Sequence, residues 1–127
     1  MDQIANMLIA IKNGGLVKKA SVIIPASKMK VAILELLKKE GYVKTYHVGE
    51  GATPTIEVVI AYEKGLPKIH NVARVSKQSK RVYKGVKDIT SYKYGHGMTV
   101  LTTPKGILTD KEARATHVGG EVLFTIW

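Results

Sequence analysis

Two short turns rich in glycine and hydroxyl groups lie in the last third of the chain, at residues 102–106 (Thr-Thr-Pro-Lys-Gly) and 119–121 (Gly-Gly-Glu). A hydroxyl both donates and accepts hydrogen bonds, so it suits a ribose 2′-OH or the edge of a base. A glycine lets the backbone approach a ligand closely. By spacing alone, both segments are more often ordinary turns, and Gly119 with Gly120 also fits a helix C-cap followed by a bend.

The carboxylate of Glu121 suits a different contact from the cations that precede it. An acid is a poor partner for phosphate, but it accepts a hydrogen bond from the amino group of cytosine or guanine. A surface carboxylate without such a role is the commoner case. A role of both turns in nucleic-acid binding is therefore favoured only if another part of the chain supplies general affinity for nucleic acid.

A strongly basic segment, residues 68–94, precedes the turns and has a single acidic residue, Asp88. Its cations are Lys68, Arg74, Lys77, Lys80, Arg81, Lys84, Lys87 and Lys93, and its tyrosines are Tyr83, Tyr92 and Tyr94. Cations at this density attract phosphate and release counterions, so binding would weaken steeply with salt. A tyrosine ring can stack on an unpaired base, although Tyr83 fits a place in the core equally well.

The net charge of +10 is concentrated in the second half of the chain. Residues 1–64 hold nine lysines against six acidic residues, whereas residues 65–127 hold eleven basic residues against four acidic ones. A solvated basic surface that aids solubility is the bland interpretation. The asymmetry favours a polyanion-binding half, with nucleic acid ahead of membrane because no basic amphipathic helix has an aromatic face.

The sequence offers no support for catalysis. It has no cysteine, which excludes a disulfide framework and a thiolate metal site. The histidines, His47, His70, His96 and His117, show no metal-ligand spacing, and Gly95-His96-Gly97 is interpreted as a turn. Because nucleophile-elbow, P-loop and HExxH motifs are missing, we expect no catalytic residue, metal or cofactor. The first residues do not resemble a signal peptide and no apolar tract could span a bilayer, so the expected compartment is the cytoplasm.

The apolar pattern of the first half predicts an α/β sandwich with helices on one face of a small sheet. The first helix carries Ile4, Met7, Leu8 and Ile11 at helical spacing, with Asp2 as its N-cap and Gly14-Gly15 as its stop. A strand at 21–24 and a second helix follow, the helix capped by Ser27 and ended by Gly41. Its predicted apolar face is Met29, Ile33, Leu36 and Leu37, and its outer face Lys28, Lys30, Lys38 and Lys39. Paired strands are predicted at 42–48 and 55–62.

The second half is predicted to be mostly β with one short helix. Strands are expected at 69–75, 81–83, 98–103 and 122–127, and Thr109 with Glu112 predicts a capping box at the start of the helix. A turn signal at 63–67 separates the halves. We therefore expect an α+β fold of two small lobes: an N-terminal α/β lobe at 1–64 and a C-terminal β-rich lobe at 65–127 that binds nucleic acid.

Five stretches, taken in order, resemble a known family. They are residues 2–13 (DQIANMLIAIKN), 25–30 with 37–42, 74–76 with 81–83, 106–113, and 119–122. These stretches are similar to the N-terminal helix, second helix, central strands and closing signature of bacterial-type ribosomal protein S8 of the small subunit. Each stretch alone is a weak match, but the five in register cover essentially the whole chain.

The resemblance implies an rRNA-binding protein that catalyses nothing. The family docks on an irregular helix in the central domain of small-subunit rRNA, aids assembly and, in many bacteria, represses translation of its own operon mRNA. Its RNA contacts lie mainly in the C-terminal lobe, and neighbouring ribosomal proteins are its protein partners. With the family's turns and tyrosine carried over by position, the expected RNA-binding residues are Lys80, Arg81, Tyr83, Lys84, Lys87, Thr102, Thr103, Lys105, Gly119, Gly120 and Glu121.

Two positions depart from the family pattern Ser-Thr-Ser-x-Gly, and the first, Thr102, retains a hydroxyl but adds a methyl group. Pro104 stands where the second serine is common, so a hydroxyl and a backbone donor are missing there. Loss of one neutral hydrogen bond costs about 0.5–1.5 kcal/mol, which would weaken RNA binding without abolishing it. Two alternatives stay open: a general nucleic-acid-binding module that binds duplex DNA comparably, and a small enzyme for a phosphorylated or acidic ligand. The second would need a convergent set of titratable groups in a pocket, and clustering of His96 and His117 around Glu121 would favour it.

Overall fold

The computed structural model describes residues 2–77, 79–89 and 97–127. Its first elements are α1 Gln3–Leu16, β1 Ser21–Pro25, α2 Lys28–Lys39, β2 Val43–Val48, β3 Thr55–Ile60, β4 Tyr62–Glu63 and β5 Leu66–Pro67. They are followed by β6 Val72–Arg74, β7 Tyr83–Lys84, a 3-10 turn Val86–Asp88, β8 Met98–Thr103, β9 Gly106–Thr109, α3 Asp110–Ala115 and β10 Gly120–Ile126. The predicted features at Tyr92, Lys93, Tyr94, Gly95 and His96 lie outside the described residues.

The chain forms two compact units, Gln3–His70 and Asn71–Trp127, and Asp2 groups with the second. The predicted α+β fold is confirmed, with a helix-and-strand first part and a mostly β second part that has one short helix. The turn signal at 63–67 corresponds to a small hairpin, β4–β5, inside the first unit. The lobe limits at 1–64 and 65–127 stay a prediction.

The first unit contains an antiparallel sheet in the order β1-β3-β2 with α1 and α2 packed against it. Apolar residues alternate along β3, so that every second side chain is buried against the helices. The buried aliphatic residues are Met7, Leu8, Ile11, Ile24, Ile33, Leu34, Leu36, Leu37, Val43, Ile56, Val58, Ile60 and Ile69. This core fits the predicted α/β sandwich.

The prediction that α1 stops at Gly14-Gly15 is wrong. The helix continues through both glycines to Leu16, and both are buried. A Cβ on Gly14 would lie 2.6 Å from Val22 Cγ1, and one on Gly15 would lie 2.9 Å from Pro67 Cβ. These glycines are therefore places of close helix packing rather than stop signals.

The second helix begins as predicted and buries Ile33, Leu36 and Leu37 as predicted, but Met29 and Lys30 depart from the prediction. Ser27 Oγ accepts a hydrogen bond from Lys30 N at 3.2 Å, and Gly41 ends the helix region in the left-handed conformation, with φ +84°. Met29 is exposed, whereas Lys30, expected on the outer face, is buried. The ammonium of Lys30 donates to Pro25 O at 3.1 Å, so the long side chain packs on the core while its charge meets a carbonyl.

Helix α2 and strand β2 are also linked by a polar contact. Tyr46 Oη donates to Glu35 Oε2 at 2.6 Å. This hydrogen bond to the carboxylate is the main cause that raises the pKa of Tyr46 above its ordinary value. Lys38 Nζ lies 6.0 Å from the centroid of the same ring.

The second unit is built around β10. In the described part of the chain, its sheet runs β6-β10-β8-β9, and β7 also pairs with β10. Ile89, Leu101, Ala113 and Val122 form a core cluster beneath α3, and Phe124 is fully buried. The capping box of α3 is confirmed: Thr109 Oγ1 accepts from Glu112 N at 3.1 Å, and Glu112 Oε1 accepts from Thr109 N at 3.2 Å. Strand β9, which follows the turn at 102–106, was not predicted.

Candidate nucleic-acid interface

The predicted binding residues converge where β10 begins. Register pairs place Gly120 opposite Lys84 and Glu121 opposite Tyr83 on one side of β10. On the other side Glu121 lies opposite Thr102, and the β8–β9 hairpin closes beyond it. Residues 83–84, 102–106 and 119–121 therefore share one end of the sheet, which we call the polar end.

Gly119 and Gly120, at the start of β10, are required by close backbone packing. A Cβ on Gly120 would lie 2.1 Å from the carbonyl oxygen of Thr102, and one on Gly119 would lie 2.4 Å from that of Lys84. Neither distance leaves room for a side chain. The backbone at the start of β10 thus packs closely against the ends of β7 and β8 on both sides.

The alternative that Gly119 and Gly120 form a helix C-cap is wrong. Helix α3 ends at Ala115 with Thr116 as its C-cap, and His117 takes the left-handed conformation with φ 55°. Val118 N then donates to Ala113 O at 3.1 Å, which closes the helix before the glycines are reached.

The hydroxyl of Thr103 holds the 102–106 turn together. Its Oγ1 donates to Gly106 O at 2.8 Å and accepts from Lys105 N at 3.1 Å. A hydroxyl has one proton to donate, so Thr103 retains acceptor capacity but no free donor while this turn is closed. Pro104 and Lys105 are exposed at the tip, and Thr102 is half-buried.

Glu121 is paired with one of the expected phosphate ligands. Arg81 Nη1 lies 3.3 Å from Glu121 Oε1, and 12% of the Glu121 side chain is exposed against 56% of the Arg81 side chain. The carboxylate is therefore largely covered, whereas the guanidinium keeps other N–H groups toward solvent. The sequence did not predict this pair because the two residues are forty positions apart, Arg81 before β7 and Glu121 in β10.

The remaining predicted residues are exposed. Tyr83 is 67% exposed, so the alternative that it belongs to the core is wrong. Four of the predicted lysines are exposed as well: Lys80, Lys84, Lys87 and Lys105. Within residues 2–77, 79–89 and 97–127, none of these four lysines forms an ion pair. An exposed aromatic ring and exposed cations without an ion-pair partner suit stacking on a base together with contacts to phosphate.

Sequence reasoning missed a buried serine at the base of an adjacent loop. Between β6 and β7 lie Lys77 and residues 79–81, which together we call the basic loop. Ser76 is 1% exposed; its Oγ donates to Val82 O at 3.2 Å and accepts from Val82 N at 2.8 Å. Lys77 and Lys80 exchange backbone hydrogen bonds of 2.8 and 3.1 Å above it.

Other kinds of site find no support in the described residues. No group of three or more His, Asp or Glu in that part of the chain is placed to hold a metal ion. No helix among the same residues has the length and apolar character needed to cross a membrane. His117 is exposed at the end of α3, and His96 lies outside the described residues, so the proposed histidine cluster around Glu121 gains no support.

The fold and the polar end define an α+β protein whose second unit carries an exposed basic surface. Residues 2–127 match the model of the family Ribosomal protein S8. The chain belongs to this family, as its sequence resemblance predicted.

Named relatives agree over nearly the full length. The chain is 48% identical over 123 residues to small ribosomal subunit protein uS8 of Burkholderia lata, an alignment that covers 96% of this chain and 94% of that protein. Small ribosomal subunit protein uS8 of Paraburkholderia xenovorans matches with the same identity and coverage. The uS8 protein of Azoarcus sp. is 46% identical over 123 residues, again covering 96% and 94%.

Proposed function

We propose that this chain is a structural protein of the small ribosomal subunit that docks on an irregular helix in the central domain of its rRNA. Family membership identifies a ribosomal protein rather than an enzyme, with rRNA and neighbouring ribosomal proteins as its partners. The observation that carries the proposal is the polar end, where segments far apart in sequence bring an exposed ring, hydroxyls, bare backbone and a carboxylate together.

The residues of the second unit divide the work of binding. Lys80, Lys84, Lys87 and Lys105 are exposed cations that supply affinity for phosphate. Tyr83 offers a face for an unpaired base or a ribose, and the carboxylate of Glu121 selects a base amino group. Thr102, Thr103, Gly119 and Gly120 fix the shape against which the RNA fits. Arg81 serves both purposes, since it orients Glu121 and faces solvent.

Recognition of this kind depends on irregular RNA. The major groove of a regular RNA helix is too deep and narrow for side chains to read, whereas bulged or unpaired bases expose their edges and faces. An mRNA segment that copies the same irregular shape would bind at the same surface. Repression of the protein's own operon mRNA is therefore part of the proposal.

The test is competition binding across a salt series. The purified chain is titrated with a transcript of the central-domain helix, against a regular RNA duplex and a DNA duplex of equal length. Preference for the irregular transcript that persists at high salt is the expected result. Equal affinity for all three, lost together as salt rises, would leave only a basic surface and would favour the general nucleic-acid-binding alternative.

A further inference from the structure

The basic loop is anchored to the sheet of the second unit. Val75 N and Ser76 N donate to Leu123 O and Val122 O, each at 3.1 Å, and Val122 N donates to Val82 O at 2.8 Å. Both ends of the loop are thus tied to β10. The hydroxyl of Ser76 then joins the two ends directly, through its paired bonds to the backbone of Val82.

The chemistry of Ser76 indicates a structural duty. Ser76 is 1% exposed, and burial of a hydroxyl destabilises the fold unless it forms hydrogen bonds. Here the hydroxyl both donates and accepts one. Among the described residues, Val82 N donates to the Ser76 hydroxyl as its hydrogen-bond partner. Removing the hydroxyl would leave a backbone donor unsatisfied at the point where the loop closes, so the loop would open locally.

The arrangement of charges inside the loop points to a ligand. Lys77 and Lys80 form an antiparallel bridge, which places the two residues opposite each other. Like charges directly opposite are unfavourable. Arg81 follows immediately, and all three side chains are exposed. A backbone that holds two exposed lysines opposite each other gains when an anion lies between their charges.

We propose that the basic loop is a preformed phosphate-binding element for the RNA backbone, in which Lys77 is a further contact residue and Ser76 a positioning residue. This inference rests on the proposed function for the identity of the ligand. It adds to the polar end a second contact region, next to it through Arg81, that reads no base and fixes the register of the RNA backbone.

Four proteins test the inference: wild type, Ser76→Ala, the double variant Lys77→Ala with Lys80→Ala, and the triple combination. Affinity for the central-domain transcript is measured at several salt concentrations. We expect the double variant to lower the salt slope by up to about 0.7–0.9 for each phosphate that the loop no longer neutralises. Ser76→Ala should weaken binding by about two- to tenfold, the loss associated with one hydrogen bond. The triple variant should bind no more weakly than the double, because Ser76 acts through the lysines.

A matched control and a structural readout accompany the series. Thr116→Val removes a hydroxyl at the C-cap of α3 that donates to Glu112 O at 2.9 Å in the same unit, and should leave RNA affinity unchanged. Amide hydrogen exchange of Val82 should become faster in Ser76→Ala and in the triple variant, but not in the double lysine variant. The lysine substitutions are on the surface, so they test the loop even if Ser76→Ala fails to fold.

The outcomes separate this inference from the proposed function. Additive losses from Ser76→Ala and the double variant would overturn the positioning role. Unchanged affinity and slope in the double variant, while Lys84→Ala still weakens binding, would overturn the loop as a binding element and leave the polar end intact. A wild-type chain without preference for the transcript would instead overturn the proposed function itself.

Discussion

Replacement of Gly120 by alanine tests most directly how the polar end is built. The new Cβ would lie 2.1 Å from the carbonyl oxygen of Thr102 and 3.0 Å from its carbon. Carbon–oxygen contacts across neighbouring strands are normally about 3.3–3.6 Å, so β8 and β10 would have to separate by about 1 Å. The obstacle is backbone in a paired strand, which cannot rotate away as a side chain can.

The cost follows from that separation. Overpacking of a well-packed site costs about 1–3 kcal/mol, and a clash with paired backbone belongs at the upper end of this range. At about 4–8 °C per kcal/mol for a small domain, the melting temperature of the second unit should fall by roughly 10–20 °C. Preference for the irregular transcript should also be lost, because Glu121 is the next residue in the strand.

Gly85→Ala is the matched control, because Gly85 lies next to Gly119 in the same region of close backbone packing. Its added Cβ would meet nothing nearer than Asp88 Oδ2 at 4.0 Å, and its φ of −74° and ψ of 165° suit any residue. Restriction of the unfolded chain should make this variant neutral or more stable by up to about 1 kcal/mol. Thermal unfolding followed by circular dichroism compares the two. If Gly120→Ala melts with the wild type, or if Gly85→Ala is destabilised equally, the close-packing explanation is refuted.

Further predictions concern charge and hydrogen bonding. Lys84→Ala should lower the salt slope of rRNA binding by about one or less, whereas Thr103→Ala combined with Glu121→Ala should weaken specific binding with the slope nearly unchanged; equal slope changes in salt titrations would contradict this division. Glu121→Gln removes the acid that faces Arg81, so affinity for a regular duplex should rise while preference for the irregular transcript falls, and loss of this partly exposed ion pair should change the free energy of unfolding by about 1 kcal/mol or less. Tyr46→Phe removes the hydrogen bond to Glu35 that raises the pKa of Tyr46 above 10.0. Because the folded-state pKa is the higher one, the wild type's stability advantage over Tyr46→Phe should be constant below about pH 10 and shrink as pH rises further, as denaturant titrations at several pH values would show; an advantage that grows above pH 10 would refute the assignment.

Local signals in the sequence predicted the elements well. The capping box at Thr109 and the N-cap at Ser27 form hydrogen bonds only to residues three positions away. They can therefore be predicted from the local sequence without tertiary information. Alternation of apolar residues identified β3 and β8 for the same reason. These elements position the polar end, where strand register brings the two predicted turns next to Tyr83 and Lys84.

Errors arose where tertiary packing overrides a local preference. Gly14 and Gly15 are poor helix residues, yet Val22 and Pro67 leave space for nothing larger, and α1 runs through them. Lys30 is buried because Pro25 O lies within reach of its ammonium. The Arg81–Glu121 ion pair and the hydrogen bonds between Ser76 and Val82 depend on strand register, which no local pattern specifies.

The convergence of β7, β8 and β10 also separates two properties of the molecule that are easily confused. The positive charge of +10 belongs to the polymer and survives when the chain unfolds. The polar end exists only while three strands are paired, since its parts are brought together by register. Heat or denaturant should therefore abolish the preference for irregular RNA while the unfolded chain keeps its general attraction to polyanions. A cognate RNA that binds only the folded form should in turn raise the melting temperature of the protein.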